Sequence, residues 1–340
     1  MARTAGFQTT FTAVVVSMLV TVVAAPARAQ AWLPAKGEGA VAILYQDVFV
    51  KDHMQATTPV DSGQIFSKTM LFDVTYGVTD NLAITFAVPW TAGRYSGTKQ
   101  HPLADLSGPT PVFYGVQPLD DGTYHQTLSD LRFDVRYNIT KKWMVLTPFI
   151  GTTTPSHDYV SFAHAAPGQK LKELQVGVSG AKLLDTIVPG LFVQGRYAYG
   201  FTERVLDIPH NRSDFSLELG YFATPKLRLL ALGSARLTHG GIDTPPNPRV
   251  NLPAIQFLYH DQIQREEFLN LGGGASFALS EKFDLFGSLI HTAAARNGHA
   301  IDRGISLGLS WTFSTSRAND RAIAGADRTL ARCLCGKSAS

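Results

Sequence analysis

The sequence predicts an all-β protein, a twelve-stranded antiparallel up-and-down transmembrane β-barrel. Three observations carry this. Segments of about 9–11 residues alternate apolar and polar positions with period two. Short and long connections alternate strictly. Aromatic residues recur at one level of the strands. The composition agrees. Of 340 residues, 45% are hydrophobic and only 17% are charged, below the roughly 25% of soluble domains. That balance excludes a disordered chain and a highly charged nucleic-acid binder. Outside the first 30 residues no run of 18 apolar residues occurs, which excludes a bundle of membrane helices.

The first element is a segment for export. Residues 1–29 hold Arg3, an apolar stretch from about Phe11 to Ala25, and Ala27-Arg28-Ala29, which has the form of a cleavage site. The domain order is therefore a signal peptide (1–29), a barrel (30–313) and a basic C-terminal tail (314–340). Removing the signal peptide leaves 28 basic against 27 acidic residues, so no polyanionic partner is implied.

Strands are expected at 38–48, 67–76, 82–90, 128–137, 143–152, 171–183, 191–201, 213–221, 227–239, 266–278, 283–292 and 305–313. In Asp130–Tyr137, Leu131, Phe133, Val135 and Tyr137 form one face. Asp130, Arg132, Asp134 and Arg136 form the other. Residues 213–221 and 305–313 repeat the pattern. The short connections are 77–81, 138–142, 184–190, 222–226 and 279–282. The long ones are 49–66, 91–127, 153–170, 202–212, 240–265 and 293–304. A soluble sandwich has no reason to place every long loop on one side, whereas a barrel with periplasmic turns and outer loops does. Five of six strands running toward the short turns end in an aromatic: Tyr76, Tyr137, Tyr221, Phe277 and Phe313. Trp143 begins a strand at that level and Trp90 ends one at the opposite level, as in girdles at membrane–water boundaries.

The last strand, Ile305–Phe313, resembles the terminal signal read by the barrel-assembly machinery, with Trp311 and Phe313 as its aromatics. Two more segments resemble a family of outer-membrane proteins named for meta-pathway phenol degradation and transport. One is Tyr76-Gly77-Val78-Thr79-Asp80-Asn81-Leu82, running on to Val88-Pro89. The other is Ser129–Tyr137, where Ser129 stands in place of the family's Gly. The resemblance covers most of residues 30–313 and implies a barrel that passes or binds small molecules, aromatic ones among them. It brings no catalytic residue with it. The chain departs from such barrels after Phe313, because the assembly signal is internal and a tail with Cys333 and Cys335 follows.

If the apolar faces meet lipid, the opposite faces point into the lumen. They carry Asp73, Asp130, Asp134, Glu173, Asp214, Glu218 and Asp284, with Arg132, Arg136, Arg196, Arg228 and Arg236. An Arg or Lys facing lipid at the midplane costs ~2–4 kcal/mol, so these charges belong inside. They serve as a bracing network, as a polar track for solute, or as both. Arg196, Glu218 and Arg228 are expected to pair across neighbouring strands. Phe192, Leu230, Leu232, Phe286 and Ile290 share the inward parity and offer an apolar patch, for an aromatic solute or as simple lumen packing.

All ten histidines, His53, His101, His125, His157, His164, His210, His239, His260, His291 and His299, fall in the long loops or at their rim. None is closely paired in sequence, so a metal would need loops to converge, and no metal or other cofactor is assigned. Ser156-His157-Asp158 has the residue types of a hydrolase triad, but adjacent positions do not converge on one strand face, so no enzyme activity is assigned. The predicted function is an outer-membrane channel or transporter for small solutes. The alternative is a surface-binding barrel with a closed lumen, and a lesser one is an outer-membrane enzyme. Expected partners are outer-membrane lipid, the assembly machinery and a small-molecule solute, with no nucleic acid.

Overall fold

A computed structural model describes residues 31–315. Twelve long strands follow one another around a closed sheet: β1 (Glu38–Gln55), β2 (Gln64–Thr79), β3 (Leu82–Ser96), β4 (His125–Leu128 continued by Asp130–Tyr137), β5 (Val145–Pro155), β6 (Glu173–Leu183), β7 (Leu191–Thr202), β8 (His210–Phe222), β9 (Leu227–Gly240), β10 (Glu267–Ala278), β11 (Phe283–Arg296) and β12 (Gly298–Ser314). Each pairs antiparallel with its successor. β12 closes on β1 from Glu38↔Ser314 to Met54↔Gly298, so no sheet edge is left open. The signal peptide lies outside the described residues, as does the tail after Thr315 with Cys333 and Cys335.

The barrel is apolar outside. Ile43, Phe72, Phe86, Ile150, Leu217 and Leu307 are each at least 40% exposed, on positions that alternate with inward residues. This is the reverse of a soluble core and suits a wall bathed in hydrocarbon. Tyr137, Tyr221, Phe277 and Trp143 stand exposed at the short-turn end, and Trp90 at the other. Phe313 stacks on Tyr76 at 6.5 Å across the β1 strand, which places the final aromatic within that girdle.

Inside, bulky side chains lie over glycines of the next strand. Phe192 faces Gly220, and Phe286 faces Gly308. A Cβ on Gly220 would stand 2.0 Å from the Phe192 ring, and one on Gly308 would stand 2.3 Å from Phe286. Glycine is the side chain these inward aromatics leave room for.

The strands run further outward than their lipid-facing alternation. β1 has 18 residues and β12 has 17, so the sheet continues beyond the apolar band. Ladder hydrogen bonds persist in water, and a pattern read from lipid contact has no means of marking where they stop. The expected long loop at 293–304 is therefore absent. β11 and β12 meet at Asn297 (φ 54) and Gly298 (φ 67), two left-handed residues in an Asn-Gly corner. The other outer connections are 56–63, 97–124, 156–172, 203–209 and 241–266, and the short side holds 80–81, 138–144, 184–190, 223–226 and 279–282.

Candidate functional site

The lumen encloses a cavity of about 700 Å3. Nine of the charged residues assigned by parity line it: Asp73, Asp130, Arg132, Asp134, Arg136, Glu173, Arg196, Asp214 and Arg236. Arg212 lines it too. Its parity matches Asp214 and Ser216, but it lies one residue before the expected start of β8, so the sequence boundary hid it. The wall thus carries five arginines and five carboxylates.

Most of these charges are paired. Arg236 grips Asp214 with two bonds, 2.8 and 3.2 Å, and reaches Glu266 at 3.1 Å. Arg136 lies 3.0 Å from Asp134, and Arg212 lies 3.7 Å from Glu173. Glu173 also accepts bonds from Gln175 and Thr202. Arg196 is different. Its guanidinium lies 3.4 Å from the centroid of Phe149, and it makes no ion pair among the described residues. The expected Arg196–Glu218 pair does not form. The β7–β8 register sets Gln194 opposite Glu218 and Ser216 opposite Arg196. Glu218, Arg228 and Asp284 lie outside the cavity wall, toward the short turns, where Arg228 approaches Asp284 at 3.5 Å and bonds Ser276.

The apolar patch divides. Phe286 lines the cavity. Ile290 packs inward against Gly272 and Gly304. Phe192, Leu230 and Leu232 do come together, but Trp32 packs on them, edge-on to Phe192 at 6.2 Å. The segment after the expected cleavage site has folded into the short-turn mouth. Ala31 is fully buried there, and its carbonyl accepts bonds from Thr147 Oγ1 (2.6 Å) and Asn138 Nδ2 (3.3 Å). A tryptophan three residues past a cleavage site, before any strand begins, was the available signal.

Loops cover the other mouth. Residues 167–171 of the 156–172 loop dip to the cavity wall. They are fastened by Ser129 Oγ donating to the Pro167 carbonyl (2.7 Å) and by the Tyr159 hydroxyl, which donates to Asp130 and accepts from the Lys170 amide (2.8 Å). Above them Phe162, Phe257 and Leu258 form an apolar cluster with Phe113 and Tyr259. Asn297 knots this end. It accepts from the amides of Ala56 and Thr244 and donates to Asp243 and the Arg265 carbonyl.

The outer loops also converge five histidines. His53 Nε2 lies 3.1 Å from His164 Nδ1, and the His53 ring is 4.6 Å from that of His299. The His101 ring lies 4.1 Å from His164 and 5.3 Å from His260. Buried Asp120 accepts from the amides of His101, His164 and Ala165, and its carboxylate lies 3.3 Å from His101 Nδ1. Burial, then the neighbouring imidazoles, holds His53 well below the usual histidine range. Burial and then His101 hold His164 down at about 3. Burial works against ionisation of Asp120, but the bonds from His101 and the charge of His164 outweigh it and keep the carboxyl below its ordinary value. No spacing in the sequence marks this cluster, because its members come from two strands and three loops. In the triad-like segment, Ser156 Oγ and His157 Nδ1 are 2.9 Å apart, but Asp158 turns away to Lys170 and the other ring nitrogen meets Thr127 Oγ1 at 3.1 Å, so no carboxylate among the described residues orients the histidine.

No protein-family model and no curated protein matches the chain. Solved structures do. The NanC porin aligns with 8% identity and a TM-score of 0.44 over 80% of this chain and 98% of its own. The KdgM porin aligns with 7% identity and a TM-score of 0.41 over 80% and 99%. An outer membrane channel from Pseudomonas putida F1 aligns at a TM-score of 0.60 with 15% identity, covering 84% of this chain and 99% of that one. At that identity the likeness speaks to architecture: the chain has the fold of an outer-membrane β-barrel.

Proposed function

We propose that the chain resides in the outer membrane and passes small charged or polar organic solutes through its lumen. The observation that carries this reading is the cavity of about 700 Å3 walled by five arginines and five carboxylates inside an apolar cylinder. A wall built only for bracing needs no open volume between its ion pairs. Balanced charge suits zwitterions and small organic acids, whose carboxylates meet guanidinium forks. An aromatic acid is the finer candidate. Phe286 and Phe268 line the same cavity as Arg196 and Arg236, so ring and carboxylate contacts are available side by side. Trp32 at one mouth and the packed loops at the other make passage gated.

A second reading has its own support: both mouths are covered, as expected of a surface-binding barrel with a closed lumen. Flux into liposomes, measured with a panel of benzoate-like acids, amino acids and neutral sugars, separates them. A channel admits the small acids faster than sugars of equal size. A surface binder admits none, in wild type or with Trp32→Ala.

A further inference from the structure

We propose that His53, His164 and His299 form a binding site for one divalent transition-metal ion, of the zinc type, at the outer mouth. The three residues offer ligand nitrogens that all lie within 4.8 Å of one another. In a tetrahedral site with metal–nitrogen bonds of about 2.0–2.1 Å, two ligand nitrogens stand about 3.3 Å apart. The His53–His164 pair already has that separation, at 3.1 Å. His299 needs to close by about 1.5 Å at most to complete the set.

The scaffold holds two of the ligands in register. His53 and His299 are direct partners in the β1–β12 ladder, so both rings project on one face of the sheet. The third arrives on the 156–172 loop and is oriented from behind. His164 Nε2 donates to the Lys99 carbonyl at 2.8 Å, and a carbonyl only accepts. That fixes the proton on Nε2 and leaves the Nδ1 lone pair facing His53. A ligating histidine that gives its other N–H to a carbonyl is the usual outer-shell arrangement. His53 must then donate through Nε2, which leaves its Nδ1 as a lone pair. That atom is buried with no hydrogen-bond partner among the described residues, and a metal on Nε2 would shift the His53 proton onto it. Asp120 completes the support. It gathers the amides of His164 and Ala165, fixing the segment that carries the third ligand.

The donor set selects the ion. Three imidazoles suit zinc, copper or nickel, whereas calcium and magnesium take oxygen ligands. Both His53 and His164 are neutral at pH 7, as ligation needs. A metal held there would join β1, β12 and the 156–172 loop at one point, with one coordination position left open. A second grouping, His101 with His260 and Asp261, adjoins it but sits within the apolar loop cluster.

The test is zinc titration by calorimetry of the full chain, folded in detergent and stripped with EDTA. The background is Cys333→Ser with Cys335→Ser, which removes thiolates able to bind zinc. One zinc per chain is expected. His53→Gln and His299→Gln should each weaken binding more than tenfold, while His125→Gln, a rim histidine bonded to Asp121 and Thr123, should not. Each variant counts only if it migrates faster unboiled than boiled. Should His53→Gln fail that check, His299→Gln and a visible cobalt(II) spectrum of nitrogen ligation decide. No zinc bound by the parent chain overturns the proposal. So does wild-type affinity in His299→Gln, or loss confined to His260→Gln, which would place the ion in the adjoining group.

Discussion

Replacing Arg196 with Ala removes a lining arginine that makes no ion pair among the described residues. The wall then passes from five positive and five negative charges to a net charge of one negative. One uncompensated charge in about 700 Å3 corresponds to roughly 2 M of fixed charge, far above a bath of about 0.15 M. Mobile ions in the bore must balance it, so cations should dominate. In a planar bilayer under a tenfold KCl gradient, wild type should reverse near zero. Arg196→Ala should move tens of millivolts toward the cation limit of about 59 mV. The fold should survive, because the lost contact with Phe149 is worth about 0.5–2 kcal/mol. Arg196→Lys keeps the charge and should reverse like wild type. Glu218→Gln should shift the potential much less, since Glu218 is off the cavity wall. An Arg196→Ala channel that conducts with an unmoved reversal potential would refute the assignment of this cavity as the ion path.

Three further perturbations follow from the packing. Gly220→Ala drives a methyl into the Phe192 ring; a cost of about 1–3 kcal/mol is expected, read as a lower temperature at which the compact gel band is lost. An unchanged band would mean that Phe192 is not held against Gly220. Asn297→Ala leaves the amides of Ala56 and Thr244 without their acceptor, about 1–3 kcal/mol for each buried group. Protease should then cut the 241–266 connection sooner, and equal protection would remove Asn297 from that role. Acid should loosen the outer loops. With the loops open, His53 and His164 take up protons below about pH 6.5, whereas the closed cluster holds His164 neutral down to about 3. The open form therefore binds more protons between those values, and closure weakens as pH falls through that window. The groups facing this pair are His101, Asp120, His260, Asp261 and His299. Cleavage in 97–124 should be faster at pH 5 than at pH 7.5, and pH-independent cleavage would contradict the burial of these imidazoles.

The wall was legible from sequence because lipid enforces period two. Leu131, Phe133 and Val135 must face hydrocarbon, so Asp130, Arg132 and Asp134 must face inward, and they do. Legibility stopped where lipid contact stops. Above the membrane the strands run on without an apolar face, and the Asn297-Gly298 corner was hidden inside an expected loop. Pairing was not legible either. Arg196 and Glu218 lie on adjacent strands with the right parity, yet the ladder offsets them by two residues, and parity says nothing about register. Trp32 and the histidine cluster depend on tertiary closure. The first is a short apolar segment that finds Phe192 only when the barrel exists. The second joins residues as distant as His53 and His299, which meet because β12 closes on β1.

In the proposed function the lumen is a path, opened at the short-turn mouth by release of Trp32. Single-channel recording of folded protein in a planar bilayer tests it most directly. Wild type should show discrete unitary openings, and Trp32→Ala should lengthen them, because Phe192, Leu230 and Leu232 lose the ring that covers them. Folded protein that inserts but never conducts, in wild type and in Trp32→Ala alike, would contradict the claim.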